Sequence, residues 1–500
     1  MGIVNRLVRR LVPRTRKAKW RVVVYGGAAV LLALDMGLVR WWRRVPVGVD
    51  TTRVTMVDAT GYPDYLRWIN EKYGAGVTRE NNAAVGLLEL SEYPGETGPR
   101  QALGLEHEKA VPMMQPSYGM FVWAWKNKLG LPEADRQKLE DERWLLARQP
   151  WKAAEHPDGA RWVEDSAAGL AAFHEAVAKP RYFVPAVGPH GEMAGLAPGE
   201  LAEVRPMYWR IEAPIVARAQ MRAGEGDWKG FGDDVRDLLH FGTLLHQGWS
   251  FEDVFATYSV EVAALRAIVT ASPTMPAADA RALFEEVDHL HLGVDSMHYL
   301  EDWSRFVDLD QVQAIARRGF QGRALVEAQN DVVLAGDPRL RPIARALWPV
   351  PYAAYARQVN QWYDEVVAAP SPLPNIPLQK ADGRKGPWWQ WAARAVREDL
   401  TFDQPYFRQR EVLAELAMAR GALALRLYHE AHGAYPERLA EMMPAILSAV
   451  PMDPLGSGPL VYRREGAGFV LYSVGRDGVD DGGQERTPTR RGDEVLRVGG

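Results

Sequence analysis

The chain has 500 residues, of which 47% are apolar and 25% are charged, and it contains no cysteine. These proportions are typical of globular proteins and exclude wholesale disorder. The absence of thiols excludes disulfides, thiol catalysis and cysteine-ligated metal sites. A formal net charge of -4 argues against nucleic acid as a partner bound through bulk positive charge. The length exceeds that of one hydrophobic core, so we expect about two or three folded units.

The N-terminal region predicts a basic cytoplasmic tail followed by a membrane anchor. Residues 1–21 carry eight basic side chains and no acidic one, and an apolar run extends over residues 22–39 between flanking aromatic residues. A helix of this length spans about 27 Å, close to the roughly 30 Å hydrocarbon core of a bilayer. We therefore predict a tail at 1–21 and a single transmembrane helix at 22–39.

The basic residues around this run predict the orientation of the chain. Only Arg40, Arg43 and Arg44 follow the run directly, against eight basic residues before it. The positive-inside rule then places the N terminus in the cytoplasm and the bulk of the chain outside it, anchored in the inner (cytoplasmic) membrane. A cleaved signal peptide is the alternative, but the basic region is long and no clear Ala-x-Ala cleavage site follows the run.

Helical periodicity dominates the region after the anchor. Apolar residues recur every three to four positions, and strand-like alternation is nearly absent before the C terminus. We predict a helical extracytoplasmic domain over residues 40–368. Segments 206–223 and 228–246 indicate a helical hairpin with a glycine stop and an aspartate N-cap. A single tetratricopeptide-like pair and an irregular helical domain both agree with this pattern. No second copy occurs at a fixed period, so the sequence does not indicate a regular repeat array.

Prolines and glycines mark the next boundary. Residues 369–388 contain five prolines and two glycines, a density that cannot continue a helix. We predict a Pro-rich linker at 369–404 and a C-terminal module at 405–500 that begins with a helix over 406–430. The predicted fold class is mainly α, with a transmembrane helix, an irregular and possibly repeat-like helical domain, and a small α+β C-terminal module.

Three motifs follow the last predicted helix in a fixed order. They are Gly-x-Tyr-Pro at 433–436, Pro-x-Asp-Pro at 451–454 and an acidic, glycine-rich stretch at 473–483. This order resembles the globular domain of the major pseudopilin of type II secretion. Residues 65–84 resemble the opening of a family of uncharacterised single-pass bacterial envelope proteins that combine a helical region with the same C-terminal module. The resemblance implies an extracytoplasmic location and carries no assigned activity.

Calcium is the cofactor that the resemblance implies. In the major pseudopilins a Ser-x-Gly-x-Asp-Gly loop binds calcium, and the ligand candidates here are Ser473, Asp477, Asp480 and Asp481, with Asp493 as a further one. Calcium takes about six to eight oxygen ligands, and glycines allow main-chain carbonyls to point inward. A solvated turn that binds nothing is the alternative. The run at 22–39 lacks the processing site and the Phe-Thr-Leu-x-Glu sequence of pilins, so we do not expect assembly into a pseudopilus.

Other candidate site residues lie in the predicted helical domain. His289, His291 and His298 occur close together among acidic residues, but their spacing is not that of a helical zinc motif. Paired carboxylates can serve hydrolysis. The carboxylates on apolar predicted helices are Glu212, Asp237 and Glu261.

Two classes of function remain. The chain contains no serine-hydrolase elbow, no phosphate-binding loop and no dinucleotide-binding fingerprint. We therefore favour a membrane-anchored, non-catalytic interaction protein of the envelope, with an envelope protein of unknown identity as its partner. The alternative is an envelope hydrolase with an acid and histidine site in the helical domain.

Overall fold

The computed structural model describes residues 44–90, 101–105, 145–187, 205–290, 292, 300–318, 352–368, 403–484 and 492–499. The predicted tail at 1–21, the transmembrane helix at 22–39 and nearly all of the linker at 369–404 lie outside these residues. The described part is mostly helical and has a small antiparallel sheet near the C terminus. The prediction of a mainly helical chain with strands near its end is confirmed.

The described helices are α1 (Tyr65–Tyr73), α2 (Ala83–Glu89), α3 (Pro157–Asp165), α4 (Ala167–Val177), α5 (Arg205–Glu225), α6 (Trp228–Leu245), α7 (Phe251–Ala271), α8 (Ala277–Asp288), α9 (Arg305–Arg318), α10 (Tyr352–Val367) and α11 (Asp403–His432). A π-helical turn, Leu300–Ser304, precedes α9. The strands are β1 (Val461–Glu465), β2 (Gly468–Ser473) and β3 (Glu494–Val498). These elements divide into two compact units.

One unit contains residues 44–65 together with α9 and nearly all of α10. Polar contacts join its separate segments. Arg357 Nε donates to Asp50 Oδ2 at 2.6 Å, and Tyr363 OH donates to Asp308 Oδ2 at 3.0 Å. The fully buried Arg305 donates through Nη1 to Asp364 Oδ1 at 2.8 Å. Helices distant in sequence are thus tied to the segment that follows the predicted anchor.

Helix α7 lies at the centre of the other unit, where it packs against α5, α6 and α11. Its residues Val260, Ala264, Leu265 and Ile268 are fully buried. Among the described residues, Glu252–Thr274 is long and apolar enough to cross a membrane by length and composition, yet 67% of that window is buried inside the fold. Burial of this extent is what a core helix requires.

The predicted helical hairpin is present as α5 and α6. Gly226 has a positive φ of 80° and ends the first helix, and Asp227 caps the second by accepting from Gly230 N at 3.0 Å. The first helix continues to Glu225, beyond the predicted stop at Gly224. Backbone approaches backbone there, since a Cβ at position 224 would lie 2.1 Å from Trp151 O. Glycine at 224 therefore allows α5 to pack closely against the backbone at Trp151.

The C-terminal sheet has the order β1-β2-β3, with both pairs antiparallel. Every residue of the central strand β2 is buried. Helix α11 covers one face, where a Cβ at Gly421 would lie 3.2 Å from Leu471 Cδ2. The segment after β2 covers part of the other face, where a Cβ at Gly483 would lie 3.4 Å from Tyr472 Cε1. Because α11 also packs against α7 and α8, the sheet belongs to the same unit as these helices.

Candidate functional site

The candidate site predicted from the sequence is the acidic loop, defined here as residues 473–484. It starts at the last residue of β2 and turns back over the sheet. Gly475 and Gly478 have positive φ angles of 71° and 66°. A Cβ at position 475 would lie 2.6 Å from Gly492 O, so only glycine fits where the loop passes the chain that leads into β3.

Asp453, from the predicted Pro-x-Asp-Pro turn, holds the start of the acidic loop. Its Oδ1 accepts hydrogen bonds from Ser473 Oγ at 2.8 Å and from Leu455 N at 2.9 Å, and its Oδ2 accepts from Val474 N at 2.9 Å. Asp453 and Ser473 are both buried. The Ser473 hydroxyl therefore bonds to Asp453 and does not face the other predicted ligands.

The predicted ligands Asp477 and Asp480 are exposed. Asp480 Oδ1 accepts from Gly482 N and from Tyr472 OH, both at 2.8 Å, and these two hydrogen bonds hold the pKa of Asp480 below its usual range. Asp477 Oδ1 accepts a local hydrogen bond from Val479 N at 3.2 Å. These carboxylates thus cap backbone turns within the loop.

Asp493, at the entry to β3, binds the loop from its other side. The residue is fully buried. Its Oδ1 accepts from Asp481 N at 3.4 Å, and its Oδ2 accepts from Gly483 N at 2.8 Å. Burial raises the pKa of Asp493, and the negative charges of Asp480 and Asp481 act in the same direction. The residue named from sequence only as a further ligand is the one with the most central position.

The described residues of the loop do not bring the predicted calcium ligands together. Ser473 bonds to Asp453, and both oxygens of Asp493 accept from backbone N–H groups. Within the described ranges, no group of three or more His, Cys, Asp or Glu side chains is placed to hold a metal. Calcium needs about six to eight oxygens around it. Calcium binding at Ser473, Asp477, Asp480 and Asp481 stays a prediction of the resemblance.

A second candidate lies in the helical core, where His246 and Glu261 meet. His246 Nε2 lies 3.2 Å from Glu261 Oε1, and the two side chains are 22% and 0% exposed. Glu261 Oε2 has no hydrogen-bond partner among the described residues. Gly242 provides the space for this carboxyl, because a Cβ there would lie 2.8 Å from Glu261 Cγ. Burial raises the pKa of Glu261, and the hydrogen bond and charge of His246 oppose that rise only in part.

The raised pKa of Glu261 predicts a pH dependence of stability. The folded protein binds the carboxyl proton of Glu261 more tightly than the unfolded chain does. The resulting contribution to the free energy of unfolding is complete below the ordinary pKa of 4.5. It is lost as the pH rises towards the pKa of Glu261 in the folded protein. Glu261→Gln removes this dependence. Urea unfolding between about pH 4 and pH 8 measures the free energy of unfolding of both proteins. The value for the variant should increase relative to that of the wild type as the pH rises.

Glu286→Gln is the matched control for that experiment. Glu286 is 42% exposed and pairs with Arg236 on the surface. Its replacement should produce no comparable trend with pH. If the stability curves of Glu261→Gln and wild type run parallel across the pH range, Glu261 does not hold its proton in the folded protein.

A third cluster joins α7, α11 and β3. Arg266 forms ion pairs with Glu415 and, at 2.7 Å, with Glu494. Burial lowers the pKa of Arg266, but the charges of the two glutamates outweigh that effect and raise it. A small polar cavity lies beside these groups, with Arg148 and Thr270 also in its wall. The cluster fixes the sheet to the helical core.

The remaining predicted site residues that the structure describes lie in or at the end of different helices. His289 forms the C-cap of α8, whereas His291 and His298 lie outside the described residues. Asp237 Oδ2 lies 2.7 Å from Nδ1 of His174, which is 64% exposed. Glu212 lies in α5. His174 and Asp237 come from different helices, so their spacing along the chain gave no signal of the pair.

Sequence reasoning also missed the part that Asp453 plays. Its position before a proline in a turn is typical of a residue that accepts backbone hydrogen bonds, and that signal was present in the motif at 451–454. Its partner Ser473 lies 20 positions away, which no local pattern identifies.

Comparison of the chain with protein-family models, with curated proteins and with solved structures gives no match.

Proposed function

We propose that the protein is a membrane-anchored, non-catalytic interaction protein of the bacterial envelope. The observation that carries this proposal is the role of three polar side chains in the unit centred on α7. The buried Asp453 and Asp493 and the partly buried Arg266 each bind groups of the chain itself and join one element to another. Such groups stabilise a fold, and the surface of that fold is then free to bind a partner.

Membrane anchorage is tested by extraction and by reporter fusions. The run at 22–39 and the excess of basic residues before it predict that high-pH carbonate leaves the protein in the membrane. Alkaline phosphatase fused to the C terminus should be active, because that end lies outside the cytoplasm. Release of the native protein by carbonate would contradict the anchor.

The control for this test is a double substitution within the apolar run. Leu31→Arg combined with Leu32→Arg places two charges near the middle of the predicted span, each at a cost of about 2.5–3.5 kcal/mol on insertion scales. Carbonate should extract this variant. A phosphatase fusion within residues 1–21 should be inactive, and activity there would reverse the proposed orientation.

The partner of the proposed interaction is an envelope protein. Gentle solubilisation of membranes followed by purification of the full-length chain should retain this partner in a fixed ratio. The reciprocal purification, with the tag on the partner, should recover the chain. Failure of the reciprocal experiment would remove the interaction as the basis of the function.

A hydrolase is the second candidate, and the pair of His174 and Asp237 is the observation in its favour. A carboxylate 2.7 Å from Nδ1 of a solvent-facing histidine orients the ring as a general base requires. If this function is correct, the purified full-length protein hydrolyses ester or peptide substrates, and His174→Ala abolishes turnover. Turnover that depends on His174 would overturn the non-catalytic proposal.

A further inference from the structure

The acidic loop covers part of one face of the C-terminal sheet, over the central strand β2. Gly483 lies against Tyr472 and Val470 of β2, with its Cβ position 3.4 and 3.5 Å from their nearest carbons. Tyr472 OH bonds to Asp480 at the rim of the loop. Both of these β2 side chains are buried, so opening the loop would expose them to water. Something must therefore hold the loop closed.

Two buried carboxylates meet the loop at its two ends. Asp453 accepts from Ser473 Oγ and Val474 N at the start, and Asp493 accepts from Asp481 N and Gly483 N at the end. Asp453 is 5% exposed and Asp493 is fully buried. A carboxylate that accepts backbone N–H groups forms charge-assisted hydrogen bonds, which are stronger than neutral ones.

The loop can be closed by a calcium ion or by a carboxylate, and the direction of these hydrogen bonds distinguishes the two. A calcium ion requires oxygen atoms that point towards it. The loop instead turns the N–H groups of Asp481 and Gly483 towards Asp493. Hydrogen-bond donors carry partial positive charge and repel a cation, whereas they attract an anion. The two N–H groups that meet at this point thus favour a negative group, and the carboxylate of Asp493 is that group.

We infer that the carboxylate of Asp493 closes the acidic loop over the sheet, in the place that the pseudopilin likeness assigns to calcium, and that closure does not require a metal ion. Asp493 is a positioning residue in this role, since it fixes the backbone of 481–483. The inference is independent of the proposed function, because it concerns how the loop is held and not what the protein binds.

Hydrogen exchange measured by mass spectrometry on the full-length protein tests this inference locally. Peptides that cover 480–484 report opening of the loop without unfolding of the whole chain. In wild type, exchange in these peptides should be the same in millimolar calcium chloride and in chelator. This comparison needs no variant, so it remains decisive even if a substitution prevents folding.

A matched pair of substitutions completes the test. Asp493→Asn keeps the shape of the side chain but offers an amide N–H₂ to one of the two loop N–H groups, so exchange in 480–484 should rise by more than about tenfold. Asp477→Asn makes the same change at an exposed residue of the same loop and should alter exchange by less than about threefold. Both results should be independent of calcium.

Two outcomes would overturn the inference. One is slower exchange of the loop in calcium than in chelator, with the difference abolished by Asp477→Asn, which would restore the calcium site expected from the resemblance. The other is unchanged exchange in Asp493→Asn, which would show that the carboxylate does not hold the loop.

Discussion

Replacing Arg266 with alanine should lower the free energy of unfolding by about 3–5 kcal/mol. The side chain is 22% exposed and pairs with Glu415 and Glu494, which are 5% and 13% exposed. Its removal takes away the ion-pair partner that these two close, largely buried glutamates share, and leaves the charge of Arg148 as a weaker compensation for Glu415. The cost comes mainly from the increased repulsion between the two glutamates, and equilibrium unfolding of the full-length protein in urea measures it.

Arg236→Ala is the matched control on the neighbouring helix. Arg236 is 45% exposed and pairs with Glu286 on the surface, so its loss should cost about 0–1 kcal/mol. A second variant separates charge from packing: Glu415→Gln added to Arg266→Ala should recover part of the loss, because it removes the repulsion of Glu494. Equal costs for Arg266→Ala and Arg236→Ala would mean that water reaches the cluster and screens it.

The second large effect is expected at Gly224, inside α5. A Cβ there would lie 2.1 Å from Trp151 O and 2.7 Å from Trp151 N, and backbone atoms cannot move aside as a side chain can. Gly224→Ala should therefore destabilise the protein by about 2–3 kcal/mol in urea unfolding, although alanine is the better helix former. The result would place the chain at 151 firmly against this helix.

Gly232→Ala in α6 is the control, and it should not destabilise the protein. The nearest atom to a Cβ at 232 is Arg236 Nη1 at 3.1 Å, the far end of a flexible side chain that can shift. The higher helix propensity of alanine then determines the effect. The free energy of unfolding of the variant should be unchanged or higher by up to about 1 kcal/mol. If the two glycine variants lose equal stability, close backbone contact is not the cause at Gly224.

Local signals predicted the elements of this fold well. Asp227 caps α6 as expected, and a glycine ends α5, although at Gly226 and thus two residues later than predicted. Gly433, with a φ of 70°, ends α11 within a few residues of the predicted end. Periodicity, caps and glycine stops act between neighbours in the chain, so the sequence displays them directly.

The site was predicted less well because its contacts are not local. The pseudopilin resemblance grouped Ser473 and three aspartates in one loop, but the Ser473 hydroxyl bonds to Asp453, and the backbone of Gly483 bonds to Asp493. The pairing of Arg266 with Glu494 spans 228 positions. Tertiary packing selects such partners among many charged residues of equal propensity, and one sequence alone does not rank them.

The dependence of α7 on α11 has a consequence for how the protein is made. The ribosome synthesises the apolar helix α7 before residues 272–402, and only after these does α11 emerge to cover it. Until then α7 exposes a face that is apolar enough to resemble a membrane span. A chain with this order of helices needs protection from aggregation until α11, at the start of about the last fifth of the sequence, is available to cover α7. Truncation before α11 should therefore give a protein that aggregates or is degraded, even though most of its helices are complete.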